Sequence, residues 1–247
     1  KFQKFMSNRS KINKTKSFDS DELYNNCNSD PKLVTCSCGK TSFTIFNGRV
    51  RKARECACID CYQHVIWAQS KDGPQVPPIL SAGYWDNDIR VESGEENIMV
   101  ILLRKDARAK RTVAKCCYST LMIDHPGYKQ LRFGLYENPC SIPWDNDSEP
   151  PSITRPPSDR IFMKDWNASR GKLPEFSGDP LRIDQRVGLP FHENVNRQSI
   201  DNPMGETCQS LFRRLPWFSL DVKEGFIPKD KNLWPNLKPV EPHAEAG

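Results

Sequence analysis

The stretch "CSCGKTSFTIFNGRVRKARECACIDC", from Cys36 to Cys61, holds five cysteines as Cys-x-Cys-Gly and Cys-x-Cys-x-x-Cys. A vicinal pair, Cys116-Cys117, follows in "VAKCCYSTLM". Seven of the ten cysteines thus fall between residues 31 and 138, while Cys27, Cys140 and Cys208 are scattered. A disulfide within Cys-x-Cys closes too small a ring to be relaxed. Metal is the better reading against disulfides or free buried thiols. Tight pairs on turns, here with Gly39 just behind one of them, form knuckles whose thiolates converge on an ion, and zinc, soft and redox-silent, suits all-sulfur ligation.

The segments around these cysteines have strand character: "TSFTIFN", "HVIWA", "DIRVES", "NIMVILL", "RTVAK", "TLMI" and "LRFGLY". Val, Ile, Phe and Tyr recur in them, and Asn47-Gly48, Asp72-Gly73-Pro74 and Ser93-Gly94 supply turns between them. The expected fold class is all-β, small antiparallel sheets around Cys-ligated zinc, with long extended N- and C-terminal arms. Three parts follow: a basic polar arm over 1–30, a zinc-binding β domain over 31–138, and a Pro-rich extended tail over 139–247.

Composition supports the arms. A hydrophobic fraction of 37% and a mean hydropathy of −0.68 are low for a globule of 247 residues. Fifteen of the 20 prolines fall after residue 138, where "SEPPSITRPPS" reads as extended linker. Phe162, Trp166, Phe176, Phe191, Phe212, Trp217, Phe218, Phe226 and Trp234 follow at irregular intervals, which excludes an amphipathic helix for most of the tail, although "ETCQSLFRRL" fits a short one. Large aromatics in Pro-rich chain read as anchors on the protein subunits of a large assembly.

The net charge of +5 resides in residues 1–20, and the remainder is neutral. Direct readout of nucleic acid, which asks for a basic face on the fold, is therefore not expected. The opening "KFQKFMSNRSKINKTK", starting at Lys1 and lacking acids, reads as the remnant of a processed import segment or as a sequence that begins late. The expected location is an organelle, plastid or mitochondrion, with the cytoplasm as the alternative. The longest apolar run, "IMVILL", suits one buried strand, so any membrane contact would be peripheral.

Cys-x-Cys-Gly, an intervening β segment, Cys-x-Cys-x-x-Cys and a late cysteine cluster resemble the glutathione-dependent formaldehyde-activating enzyme and centromere-protein-V domain family, over residues 31–138. The resemblance implies a β fold with two zinc sites. Cys36 and Cys38 with Cys116 and Cys117 would form the closed structural site, and Cys56, Cys58 and Cys61 an open one that takes a thiol substrate such as glutathione. Three thiolates leave a zinc ion that keeps a fourth thiolate nucleophilic. The function expected first is that of an accessory or structural subunit of a large organellar assembly, held through its extended arms; the alternative that the resemblance implies is a glutathione-dependent carbon-sulfur lyase, with Cys58 the residue on which it would turn and an activity that is weak or lost. The family's late pair is Cys-x-x-Cys, whereas Ala114 stands at its first position here. Adjacent strand residues point to opposite faces, so Cys116 and Cys117 reach one ion where the backbone turns sharply; otherwise Cys116 completes the second site. His64 and His125, each beside a cysteine motif, read first as hydrogen-bonded structural residues and second as ligands.

Overall fold

The computed structural model describes residues 30–136, 140–141, 157, 159–176 and 203–242. Residues 1–29 of the basic arm, Cys27 among them, all of "SEPPSITRPPS" but Pro157, and Phe191 lie outside them. Among the described residues the fold is mostly β, with two α-helices. The strands are β1 (Lys32–Cys36), β2 (Ser42–Ile45), β3 (Lys52–Cys56), β4 (Leu80–Asp86), β5 (Ile89–Ser93), β6 (Ile98–Leu102), β7 (Lys110–Ala114), β8 (Thr120–Asp124), β9 (Arg132–Tyr136), β10 (Cys140–Ser141), β11 (Arg160–Ile161), β12 (Trp217–Ser219) and β13 (Lys238–Pro239). The helices are α1 (Ile59–Ser70) and α2 (Cys208–Arg214). Among the described residues the strands form a four-stranded sheet, β10-β1-β2-β5, and a larger one, β11-β3-β4-β9-β8-β7-β6-β12-β13.

One expected strand is a helix. "HVIWA" lies inside α1, whose residues Gln63, His64, Val65, Trp67 and Ala68 are buried. Four apolar residues in a row of five mimic a strand, but the helical period emerges once the flanking "IDCYQ" and "QS" are counted. The helix stops where Asp72 takes φ 62° and the Gly73 N–H bonds to the Ala68 carbonyl at 3.0 Å.

The sheet does not end at residue 138. All five residues of β6 are buried, and an apolar strand of that kind left at a sheet edge would expose unpaired backbone. β12 covers it, pairing in parallel from Trp217↔Val100 to Ser219↔Leu102. The expected short helix is present as α2, capped by the Thr207 side chain. Cys208, Leu211, Phe212, Leu215 and Trp217 pack in one cluster with Val34, Phe43, Val100 and Phe133. Trp234 packs in another with Trp67, Ile101 and Val113. These tail aromatics, expected as anchors for partners, fill the protein's own core.

Polar residues fix where this tail segment docks. Asp88 carboxylate oxygens accept from the Met204 and Gly205 N–H groups at 3.0 and 2.7 Å. Ile89 and Glu206 exchange backbone hydrogen bonds at 2.9 and 2.8 Å. A Cβ on Gly205 would stand 2.2 Å from the Ile89 carbonyl oxygen, so only glycine permits this approach.

Candidate metal centre and the neighbouring thiol cluster

Cys36 ends β1 and opens a knuckle. Its carbonyl accepts from the Gly39 N–H at 2.9 Å and its N–H donates to the Thr41 carbonyl at 2.9 Å. Gly39 takes φ 75°, in the left-handed region that glycine enters without strain. The Thr41 N–H then points at the Cys36 sulfur from 3.4 Å. The second half of the centre follows β7. The Tyr118 N–H returns to the Ala114 carbonyl at 2.7 Å and Tyr118 takes φ 54°. This is the sharp turn that adjacent cysteines need in order to face one point. The halves are tied by Ser119, whose hydroxyl oxygen accepts from the Ser37 N–H at 2.9 Å.

The sulfurs of Cys36, Cys38, Cys116 and Cys117 all lie within 4.8 Å of one another and could hold a metal ion. The separations are 3.5 Å for Cys36–Cys38, 3.7 Å for Cys36–Cys116, 3.3 Å for Cys38–Cys116 and 3.9 Å for Cys116–Cys117. A tetrahedron with metal–sulfur bonds of ~2.3 Å has edges of about 3.8 Å, so the four thiols fit a tetrahedral thiophilic ion. Cys116 thus stands with Cys36 and Cys38. Burial pushes its thiol up to about 12, with hydrogen bonds to Cys38 and Cys36 adding to the shift. Burial acts in the same direction on Cys117, but hydrogen bonds from Ser119 and Ser37 outweigh it and bring that thiol down to about 6.

The second group sits where β3 meets α1. Cys56 ends the strand, Cys58 precedes the helix and Cys61 lies in its first turn. Hydrogen bonds from Cys56 and Cys58 hold the Cys61 thiol well below its ordinary value despite burial, and Arg111 and Tyr136 add to the effect. Cys56 is correspondingly raised by its bonds to Cys58 and Cys61 and by burial. For Cys58 the bond with Cys56 works downward, but the bond with Cys61 and burial prevail and push it up to about 12. Of the three, Cys61 is the thiol whose surroundings favour the thiolate.

Arg111, 1% exposed on β7, faces that charge. Its Nη2 lies 3.8 Å from the Cys61 sulfur and its Nη1 donates to the Ala109 carbonyl at 3.4 Å. Burial works against the guanidinium, but Cys61 and Tyr136 keep it firmly protonated. None of the described carboxylates forms an ion pair with it. A buried cation is strongly unfavourable unless an anion answers it, and the anion here is sulfur.

The histidines keep to structural roles in this geometry. His64, fully buried, shares a 3.0 Å hydrogen bond between its Nε2 and the Thr120 hydroxyl, and burial lowers its pKa so that the ring is neutral. His125 accepts from the Gly127 N–H at 2.9 Å through Nδ1, capping a short helical turn.

A segment from beyond residue 138 wraps the second cluster. β11 pairs in parallel with β3, Ile161 beside Cys56, and the Ala57 N–H donates to the Ile161 carbonyl at 3.0 Å. Asp165 then accepts from the Ile59 N–H at 3.2 Å, supplying α1 with an acceptor at its first turn. Arg170 returns to donate from Nη1 to the Ala57 carbonyl at 2.8 Å. Sequence reading singled out none of Arg111, Tyr136 and Arg170. Arg111 follows Lys110 at the start of β7 and differs from it in being buried, which its neighbours in the chain do not reveal; Arg170 carried no signal.

No protein-family model matches the chain, and no curated protein matches it. Among solved structures it is similar to the crystal structure of a Rhodobacter sphaeroides protein determined as a structural-genomics target. The identity is 21% over 42% of this chain and 82% of that one, with a TM-score of 0.30. A likeness at that level carries no functional inference. Among the described residues, no helix is long and apolar enough to cross a membrane.

Proposed function

We propose that this chain is a zinc-stabilised β domain with a thiol-handling site, in the manner of the formaldehyde-activating family that its cysteine motifs resemble. Cys36, Cys38, Cys116 and Cys117 would hold a closed structural ion. Cys56, Cys58 and Cys61 would hold a second with one position open to a small-molecule thiol, glutathione being the member of that class the resemblance suggests. Zinc in such a site keeps an incoming thiol deprotonated and nucleophilic.

The observation that carries this reading is Arg111, a buried guanidinium whose charge is answered by Cys61. A site meant only to be packed would not place an arginine against a thiol at that cost. Its charge would offset the excess negative charge that three thiolates leave on a divalent ion. Cys58 is half-buried at the start of α1. The reaction supported is addition of a thiol to a small aldehyde. The carbon-sulfur bond forms as the carbonyl π bond breaks, and the thiol proton ends on the new hydroxyl. The reverse cleavage uses the same groups.

The companion reading, an accessory subunit in a large assembly, draws no support from Phe212, Trp217 and Trp234, which are buried within the chain. The test is metal content paired with turnover. Wild type should carry two zinc equivalents and consume formaldehyde only with glutathione present, with carbon-sulfur adduct visible by NMR. Cys58→Ser should lose one equivalent and the activity while keeping its fold. Wild-type protein with one zinc and no thiol-dependent consumption would refute the proposal.

A further inference from the structure

We infer that Arg170 is a specificity-determining residue that binds the carboxylate of the thiol entering the Cys56/Cys58/Cys61 site. The inference rests on the reading of that cluster as a thiol site and goes beyond it, because Arg170 lies outside the 31–138 segment to which the cysteine motifs belong.

The guanidinium is placed by three contacts. Its Nη1 donates to the carbonyl of Ala57, the residue between Cys56 and Cys58. Its carbon stands 4.0 Å above the ring of Tyr62, which follows Cys61, and 5.9 Å from the ring centre of Trp166. With one end bonded and its plane stacked, the side chain has little freedom left to lose when a ligand binds.

What remains is an unused donor. Arg170 is 9% exposed, and its Nη2 is buried with no hydrogen-bond partner. An orphaned donor in a buried arginine costs stability unless something outside the fold completes it. Burial lowers the pKa of Arg170, while Tyr62, Asp165, Cys58 and Cys56 act to keep its charge; the guanidinium therefore lies in the field of the thiol cluster. Asp165, whose Oδ2 accepts from the Ile59 N–H, acts on Arg170 as a neighbouring negative charge. A planar donor fork beside a thiolate site matches a ligand with a sulfur at one end and a carboxylate a few atoms away. A neutral thiol could use the sulfur position and leave Nη2 orphaned, which is the source of discrimination.

The test is calorimetric titration of the full-length, zinc-loaded protein with 3-mercaptopropionate and with its neutral isostere, 3-mercaptopropionamide. Wild type should favour the carboxylate by about tenfold or more. Arg170→Gln should erase that preference by weakening the carboxylate ligand while leaving the Kd of the amide within about twofold. Arg170→Lys, which keeps charge without the fork, should fall between them and serves if the glutamine variant fails to fold. Equal binding of both thiols to wild type, or an equal loss of both in the variants, overturns the inference and leaves the thiol site standing. Absence of binding by either thiol to wild type removes the thiol site and this inference with it.

Discussion

Replacing Trp217 by alanine separates a tail that anchors partners from a tail that completes the core. Trp217 is 5% exposed on β12, its Nε1 donates to the Phe212 carbonyl at 2.8 Å, and Lys110 Nζ stands 5.3 Å from its ring centre. A tryptophan buries roughly 150–250 Å², which at about 25 cal/mol per Å² corresponds to an upper value of ~4–6 kcal/mol. Large-to-small substitutions of buried aromatics cost about 3–5 kcal/mol. The hydrogen bond adds little, because the Phe212 carbonyl also accepts from the Leu215 N–H at 3.3 Å and is not orphaned. The expected loss is about 4 kcal/mol, a large share of the ~5–15 kcal/mol that holds a typical domain. Urea titration followed by circular dichroism, with zinc in excess, reads it as a lower midpoint at unchanged slope. A loss under about 1 kcal/mol would refute the reasoning, since that is the outcome for a side chain held ready for a partner.

Two further outcomes are expected. Cys36→Ser should lose one metal equivalent and the cooperative melt together, because four-cysteine zinc sites supply about 10–16 kcal/mol of apparent binding energy; Cys208→Ser, equally buried but outside the cluster, should keep full metal content by elemental analysis. Arg214 pairs with Glu95 at 2.6 Å and Glu206 at 2.5 Å, and its hydrogen bond lowers the Glu95 pKa from 4.5. A depressed carboxyl pKa contributes stability above the unfolded value that is lost as pH falls through the folded one. Arg214→Gln should therefore cost ~0.5–1 kcal/mol at pH 7, discounted for exposure, and the gap from wild type should close below about pH 4.5. A gap that is unchanged at low pH would assign the effect to packing.

Local patterns read well in the sequence because they depend on neighbours. The Cys-x-Cys-Gly knuckle, the short helix in "ETCQSLFRRL" and the strands "NIMVILL" and "LRFGLY" are each specified within a few residues. "HVIWA" misled because a five-residue apolar run has no period of its own. The fate of the tail was illegible for a different reason. Its prolines do exclude long elements, but a three-residue strand and a seven-residue helix need no local propensity when an apolar edge such as β6 waits to be covered. The cysteines of the four-sulfur centre were legible by type and spacing. The cations beside the other cysteine group were not, since Arg111 and Arg170 are 50 and 109 positions from Cys61 and reach Cys61 and its neighbour Tyr62 only through tertiary packing.

The two cysteine groups differ in the charges around them, and the difference separates their roles. With a divalent ion, four thiolates carry a net charge of two minus. The four-sulfur group has Cys38 exposed and Cys116 and Cys117 half-buried, so water answers that charge, helped by the Thr41 N–H and the Ser37 and Ser119 hydroxyls. Such a site can be permanently occupied without a counter-ion. The Cys56/Cys58/Cys61 group lies where β3 meets α1, with the 159–171 segment against it; Cys56 is buried, Cys58 and Cys61 are half-buried, and protein cations stand beside it. Two guanidiniums attend it, one from the domain and one from the tail. A metal held there by three thiolates would require only one compensating cation, which Arg111 is placed to supply. Under the proposed thiol site, Arg170 would answer the further anion that a carboxylate-bearing ligand brings.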